Sequence, residues 1–288
     1  MIKKPDFIII GAMKSATSTL HAQLALQEGI FMTTPKEPNY FSDDAVYAKG
    51  EAWYEELFAS ANEGDLCGES STHYTKLPHY PLAVERMTKS LESPKLIYVM
   101  RHPIDRLVSH YIHQWSQNVF KCDINIAINQ YDELMSYGCY AKQLSPYINQ
   151  YGRKNILLLF MEGIKESPQI QLEKVADFIG YKGEVNWQFD LEVQNISKDK
   201  IRAFPGYKLL IDIAPMEWVR RNFIPQFIRN AIKVRLMMRD RPEINDKNML
   251  KLVECFDRDL IEMAEVLELD ELSCSNFKSV AKSYGVIK

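Results

Sequence analysis

The sequence predicts a three-layer α/β fold: a central parallel sheet, a P-loop-like nucleotide-binding architecture and a helical C-terminal part. Three observations carry the prediction. Asp6 to Ile10 is a short β-rich run that ends at Gly11, and Thr17 to Glu28 follows as a helix stopped by Gly29. Lys95 to Met100 is a second strand, followed at once by Arg101, His102 and Pro103. Asn155 to Phe160 is an apolar run with no polar alternation.

Each element has a local reason. Strand, glycine-bearing turn and helix at residues 6–28 make the front of a βαβ unit. Pro103 suits the first turn of a helix, where its missing N–H costs nothing. Ile104 to Gln117 continues that helix, with Leu107, Tyr111 and Trp115 spaced by four. The run to Phe160 suits a strand covered on both faces, and Pro168 to Ile179 reads as a helix capped by Gly180. Strands alternating with helices from residue 6 to about 180 imply helices on both faces of a parallel sheet. Beyond that point Met216 to Met238 and Asn248 to Leu267 read as long helices, with Pro225 kinking or breaking the first. No repeat or linker divides the chain, so residues 1–288 read as one domain: an α/β core over 6–180 with the nucleotide site, and a mostly helical acceptor side over 181–288.

The totals narrow the function classes. Of 288 residues, 46% are apolar and 25% charged, close to a soluble globular average. A net charge of −3 offers no general polycation for nucleic acid. No segment has the length to cross a bilayer, and Phe7 to Met13 reads as a strand rather than a signal peptide. Five cysteines without a CxxC pair argue against a disulfide framework and a zinc site, and point to a reduced, cytoplasmic protein.

The turn after the first strand carries the chemistry. The first amides of a helix have no intrahelical partner and bear partial positive charge, so an anion settles there. Lys14 adds a full charge, and Ser15, Thr17, Ser18 and Thr19 add hydroxyl donors. The NTPase pattern GxxxxGK[ST] fails: Lys14 comes three residues after Gly11, and no second glycine precedes Gly29. A plain strand–helix turn with solvated or capping side chains stays open on the loop alone. Arg101 leaves the end of the second strand, and Ser109 lies two turns into the next helix. Ligands of open α/β sheets gather at the carboxyl ends of strands, so Arg101 and Lys14 belong on one edge. Two anion sites there suggest a ligand with phosphates at two places.

At this point the chain resembles the sulfotransferases that use 3′-phosphoadenylyl sulfate (PAPS). Lys14 to Thr19 is similar to the family's 5′-phosphosulfate loop, and Arg101 with Ser109 to its 3′-phosphate element. The stretches "PKEPNYF" (Pro35 to Phe41), "GESSTHY" (Gly68 to Tyr74) and Tyr137 to Ile164 resemble the branch holding heparan-sulfate-type and many bacterial enzymes. The resemblance runs in order over residues 6–180. It departs at Ala16, where the family has glycine, and at Ser18, where it has threonine. Near the C-terminus no glycine-and-basic loop is found; Asn195, Ser197, Lys198 and Arg202 are the substitutes.

The resemblance implies PAPS as sulfuryl donor, adenosine 3′,5′-bisphosphate (PAP) as product and no metal. It implies Lys14 at the leaving phosphate, Ser15, Ala16, Thr17, Ser18 and Thr19 around the 5′-phosphate, and Arg101 and Ser109 on the 3′-phosphate. It makes Glu37 the base, its pKa raised by partial desolvation beside Pro38, Tyr40 and Phe41. A surface Glu37 paired with Lys36 is the alternative, with His21, His73 and His110 as fallback bases. Tyr140 either lines the adenine pocket or is a core tyrosine, and Glu69 and Ser70 either line the cleft or form a strand-end turn. The acceptor is a glycan or small metabolite. The basic stretch from Arg220 to Arg241 is either a surface for an anionic glycan or lipid or a solvated helix face. Two rivals remain: a nucleotide or small-molecule kinase, for which Glu162 is the nearest magnesium-organising acid, and a non-catalytic binder of PAP.

Overall fold

The computed structural model describes residues 3–190 and 240–284. Five strands, β1 (Phe7–Gly11), β2 (Ile30–Met32), β3 (Leu66–Ser70), β4 (Lys95–Met100) and β5 (Ile156–Phe160), form one sheet in the order β2-β3-β1-β4-β5. Every neighbouring pair is parallel, with Phe7 opposite both Gly68 and Lys95. Phe7, Ile8, Ile9 and Ile10 have no exposed surface. Burying each contributes about 1.5–3 kcal/mol, which explains why β1 sits at the centre.

Helix α1 (Thr17–Ala25) follows β1; α2 (Asp44–Tyr47) and α3 (Glu51–Glu56) lie between β2 and β3. Helix α4 (Ala83–Ser90) precedes β4 and α5 (Pro103–Ser116) follows it. Then come α6 (Ile124–Gln130), α7 (Glu133–Ser136), α8 (Tyr140–Tyr151), α9 (Met161–Glu166) and α10 (Pro168–Ile179), and in the C-terminal part α11 (Asp246–Leu267) and α12 (Phe277–Ser283).

Strand alternation sorts these into layers. Phe7, Ile9, Ile97 and Val99 pack on Leu20 and Leu24 of α1 and Leu172 and Val175 of α10. Ile8, Ile10, Leu96, Tyr98 and Met100 face the other way, onto Tyr54 of α3, Met87 of α4, Tyr147 of α8 and Met263 of α11. A third cluster joins α5, α6 and α7 to α11 through Leu107, Ile124, Leu134 and Phe256.

The expected three-layer parallel architecture is present, with two differences. Helix α1 ends at Ala25 rather than Glu28, because Leu26 to Gly29 turn into β2 and Gly29 takes φ +77°. Strands β2 and β3 were not anticipated. The first has only three residues, and Leu66–Ser70 carries a glycine and a glutamate that mask its burial. The helix expected at 216–238, the residues Asn195, Ser197, Lys198 and Arg202, and the basic stretch from Arg220 to all but its end lie outside the described residues. Among the described residues no helix is long and apolar enough to cross a membrane.

Candidate functional site

In a parallel sheet all carboxyl ends emerge on one edge, so the adjacent strands β3, β1 and β4 deliver Ser70, the Lys14 turn and Arg101 side by side. Gly11 makes the turn possible. Its φ is +157°, and a Cβ there would lie 2.1 Å from Thr75 Oγ1 and 2.8 Å from Tyr98 Cε2. Thr75 Oγ1 donates to the Ile10 carbonyl at 2.7 Å, which closes the base of the loop.

The loop backbone is strained where the ligand would lie. Lys14 has φ +70° and Ala16, which precedes α1, has φ +66° and ψ +16°. Glu37 and Asn39 in the neighbouring loop have φ +60° and +56°. Left-handed conformations in residues other than glycine cost free energy and concentrate at functional sites.

The α1 terminus has no side-chain cap and no acidic residue in its first turn. Ser15 is fully buried and its Oγ has no hydrogen-bond partner in the protein. Uncapped amides, a buried unpartnered hydroxyl and Lys14 fit an oxyanion such as phosphate. Arg101 lies within reach: its guanidinium donates to the Lys14 carbonyl at 3.1 Å, while its buried Nε has no partner. Ser109 is 4% exposed on α5, two turns beyond. Lys14 to Thr19 and Arg101 thus stand at one edge of the sheet, and Ser109 is buried on α5 further along the helix.

Tyr140 is placed differently from a pocket wall. It has no exposed surface, packs edge-on against Tyr98 at 6.0 Å between ring centroids, and its hydroxyl donates to the Arg101 carbonyl. It holds the arginine's backbone from below. Glu162 accepts from the His102 amide at 3.0 Å, so this carboxylate also fixes the segment after β4.

Glu37 lies on the other side of the loop. Its amide donates to the Ser70 carbonyl at 2.9 Å, and its carboxylate accepts from Lys36 Nζ at 2.9 Å and Thr72 Oγ1 at 3.2 Å. His21, on α1, is 2.9 Å from Ser70 Oγ through Nδ1, which links this loop to the phosphate-type turn. The electrostatics correct one expectation. Burial alone raises the Glu37 carboxyl, but Lys36, by charge and hydrogen bond, together with Lys76 and His73, outweighs it, and the net pKa is below the ordinary value. Glu37 is therefore partly desolvated and paired with Lys36.

Burial, reinforced by the charge of Lys36, lowers His21 to about 4, and burial with Lys76 lowers His73 to about 4. Both imidazoles are neutral near pH 7. His110, fully buried and stacked on Tyr137, is depressed further by burial and by Arg106. Glu69 and Ser70 have no exposed surface and so do not line an open cleft. Glu69 accepts from Tyr54 at 2.8 Å, Tyr74 at 2.9 Å and Ser71 at 3.0 Å, and burial raises its pKa to about 7.

Two groupings escaped the sequence. Lys76 is 7% exposed, held down to about 8 by burial, and within the field of Glu37, Arg106 and Lys36. Nothing in its neighbourhood in sequence marks it as buried. The sequence also shows no metal cluster, yet His79, Asp132 and Glu133 bring ligand atoms within 4.8 Å of one another at the surface. Their separation along the chain hides this.

A parallel α/β sheet with an oxyanion-type helix terminus and a facing arginine defines the P-loop-like class of nucleotide-binding folds. Within that class, the family model described as "Sulfotransferase domain" matches residues 4–220, and the chain belongs to that family. It is 29% identical over 187 residues to heparan sulfate glucosamine 3-O-sulfotransferase 3A1 of Mus musculus, covering 62% of this chain and 46% of that protein. It is 34% identical over 116 residues to the membrane-associated sulfotransferase kil1 of Dictyostelium discoideum, covering 38% of this chain and 24% of that one. The chain thus spans about half or less of the length of these curated relatives. Its fold is similar to that of a sulfotransferase from Alicyclobacillus acidocaldarius, with a TM-score of 0.63 at 18% identity over 93% of this chain and 98% of that one.

Proposed function

We propose that this chain moves a sulfuryl group from PAPS to a hydroxyl or amine of an acceptor, a glycan or a small metabolite, and that residues 1–288 act as one unit with the acceptor side over 181–288. The observation that carries the reading is the contact of the Arg101 guanidinium with the Lys14 carbonyl at 3.1 Å, beside an uncapped α1 terminus. It supports a ligand with anionic groups at two places.

PAPS, when bound, supplies the activated sulfuryl group. Ser15, Thr17, Ser18, Thr19 and the first α1 amides hold the 5′-phosphate, with Ala16 shaping the turn. Arg101 and Ser109 hold the 3′-phosphate, and Tyr140 fixes Arg101 through its carbonyl. Lys14 stabilises the negative charge that grows on the departing phosphate oxygen, a contribution made in the transition state rather than the ground state. Glu37 takes the proton of the acceptor. Its lowered pKa keeps it ionised at neutral pH and makes it a weak base, suited to a proton that moves late, when the acceptor oxygen has become acidic. None of these steps calls on a metal. A glycan acceptor is in keeping with the heparan sulfate enzymes among the relatives.

Transfer of radiolabelled sulfate from PAPS to a panel of glycans and small alcohols tests the reading. Lys14→Ala and Arg101→Ala should each lose transfer, by about 10²–10³-fold for Lys14; full activity in both sinks it. A thermal-shift titration separates the rivals: stabilisation by PAP over ATP with magnesium supports transfer, and the reverse order favours a kinase. A parent protein that binds PAP but transfers sulfate to no acceptor leaves only a binder, and Glu37→Gln that transfers as well as the parent removes Glu37 as the base.

A further inference from the structure

Cys139 and Cys255 are 116 residues apart in sequence, and their sulfurs are 4.0 Å apart. Cys139 is the residue before α8, and Cys255 lies half-buried on α11. The two segments are pressed together at this point. A Cβ on Gly138 would sit 2.8 Å from the Phe256 ring, so the residues flanking both cysteines already touch. One turn beyond Cys255, Asp259 accepts from the amides of Ala141 and Lys142 at 3.0 Å each, so α11 also closes the start of α8.

The pair is asymmetric. A hydrogen bond between the two thiols, in which either sulfur can donate, draws Cys255 down to about 7 against the opposing effects of burial and Asp259, with Arg258 and Lys142 assisting. The same bond holds the Cys139 proton more tightly. A thiol with a pKa near the ambient pH is the better attacking nucleophile, and the more deeply buried neighbour is placed to follow it.

We propose that Cys255 is a thiol-exchange site for low-molecular-weight disulfides of the glutathione type, with Cys139 as its resolving cysteine. The Cys255 thiolate attacks one sulfur of the small disulfide. That S–S bond breaks, one small thiolate leaves, and a mixed disulfide forms on Cys255. Cys139 then gives its proton to solvent and attacks the Cys255 sulfur. The Cys139–Cys255 bond forms and the second small thiolate leaves. Two protein thiols are oxidised and one small disulfide is reduced to two thiols. Closure needs the sulfurs to approach from 4.0 Å to about 2 Å.

The bond lies next to Tyr140, whose hydroxyl holds the Arg101 carbonyl. Its formation therefore ties α11 to the support of the nucleotide-side arginine. The proposal does not depend on the transfer reaction.

The test uses the full chain, reduced and then exposed to oxidised glutathione, quenched by alkylation and mapped by peptide mass spectrometry. The expected product is a linked peptide pair containing Cys139 and Cys255, reversed by dithiothreitol. Cys139→Ser should instead accumulate glutathione on Cys255, and Cys255→Ser should leave Cys139 unmodified. The linkage is read in the unmutated protein, so the result does not hang on either variant folding. Absence of the linkage overturns the proposal, as does glutathione on Cys67, Cys122 or Cys274 while Cys255 stays free.

Discussion

Replacing Ala16 with glycine tests the strain in the loop. At φ +66° and ψ +16° an alanine sits in the left-handed region, at a cost of about 1–2 kcal/mol. Glycine removes that cost and adds about 0.5–1 kcal/mol of unfolded-chain entropy. The net expectation is a gain of about 0.5–1 kcal/mol, in keeping with glycine's advantage over alanine at the residue before a helix. For a chain of this size that raises Tm by about 1–4 °C. Ala22 in the middle of α1 is the control. There the same substitution meets an ordinary helical residue and should cost about 1 kcal/mol. Scanning calorimetry without nucleotide should move the two variants in opposite directions. If Ala16→Gly melts below the parent, as Ala22→Gly does, the strain argument fails.

Three more outcomes follow from the same geometry. Glu69 has a folded pKa of about 7 against an ordinary 4.5, so its contribution is full below about pH 4.5 and lost as pH rises through 7. That amounts to about 3 kcal/mol, and Glu69→Gln should flatten this part of the stability–pH profile in urea titrations; an unchanged slope contradicts it. Tyr140→Phe removes the hydroxyl on the Arg101 carbonyl and should weaken PAP binding by about tenfold in calorimetric titration, the size of one lost hydrogen bond; unaltered affinity means that Arg101 needs no such support. Gly11→Ala places a methyl 2.1 Å from Thr75 Oγ1 and should cost about 3 kcal/mol by overpacking, read as a drop in the urea midpoint.

The parts of this protein that sequence reveals are those governed by local pattern. Lys95–Met100 and Pro168–Ile179 fall within the expected bounds because an unbroken apolar run and a proline–glycine frame are local signals. The loop at Lys14 and the arginine at 101 were legible because both follow strands directly, and a parallel sheet forces such residues onto one edge. Strand β3 was not, because Glu69 near its end reads as exposed; only Tyr54 and Tyr74 from other segments, with Ser71 just beyond it, make its burial tolerable. Burial raises the pKa of Glu37, and its neighbour Lys36, already visible in sequence, leads the charges and hydrogen bond that outweigh it, with Lys76 and His73 added by the fold. Tyr140 shows the limit from the opposite direction: the sequence left it open between a pocket wall and a core tyrosine, and the fold buries it beneath the Arg101 carbonyl.

The sheet order has a consequence for how the chain comes together at the ribosome. Strand β1 is translated first of the five, yet its hydrogen-bonding neighbours are Gly68 to Ser70 on one side and Lys95 to Tyr98 on the other. At about 5–20 residues per second, the roughly 90 residues between β1 and its later partner take on the order of 5–20 s to appear. For the later part of that interval β1 can pair only with β3, and the other edge of this apolar strand has no strand to join. The nascent chain must shelter it, by transient collapse onto α1 or by a chaperone, until the fourth strand emerges.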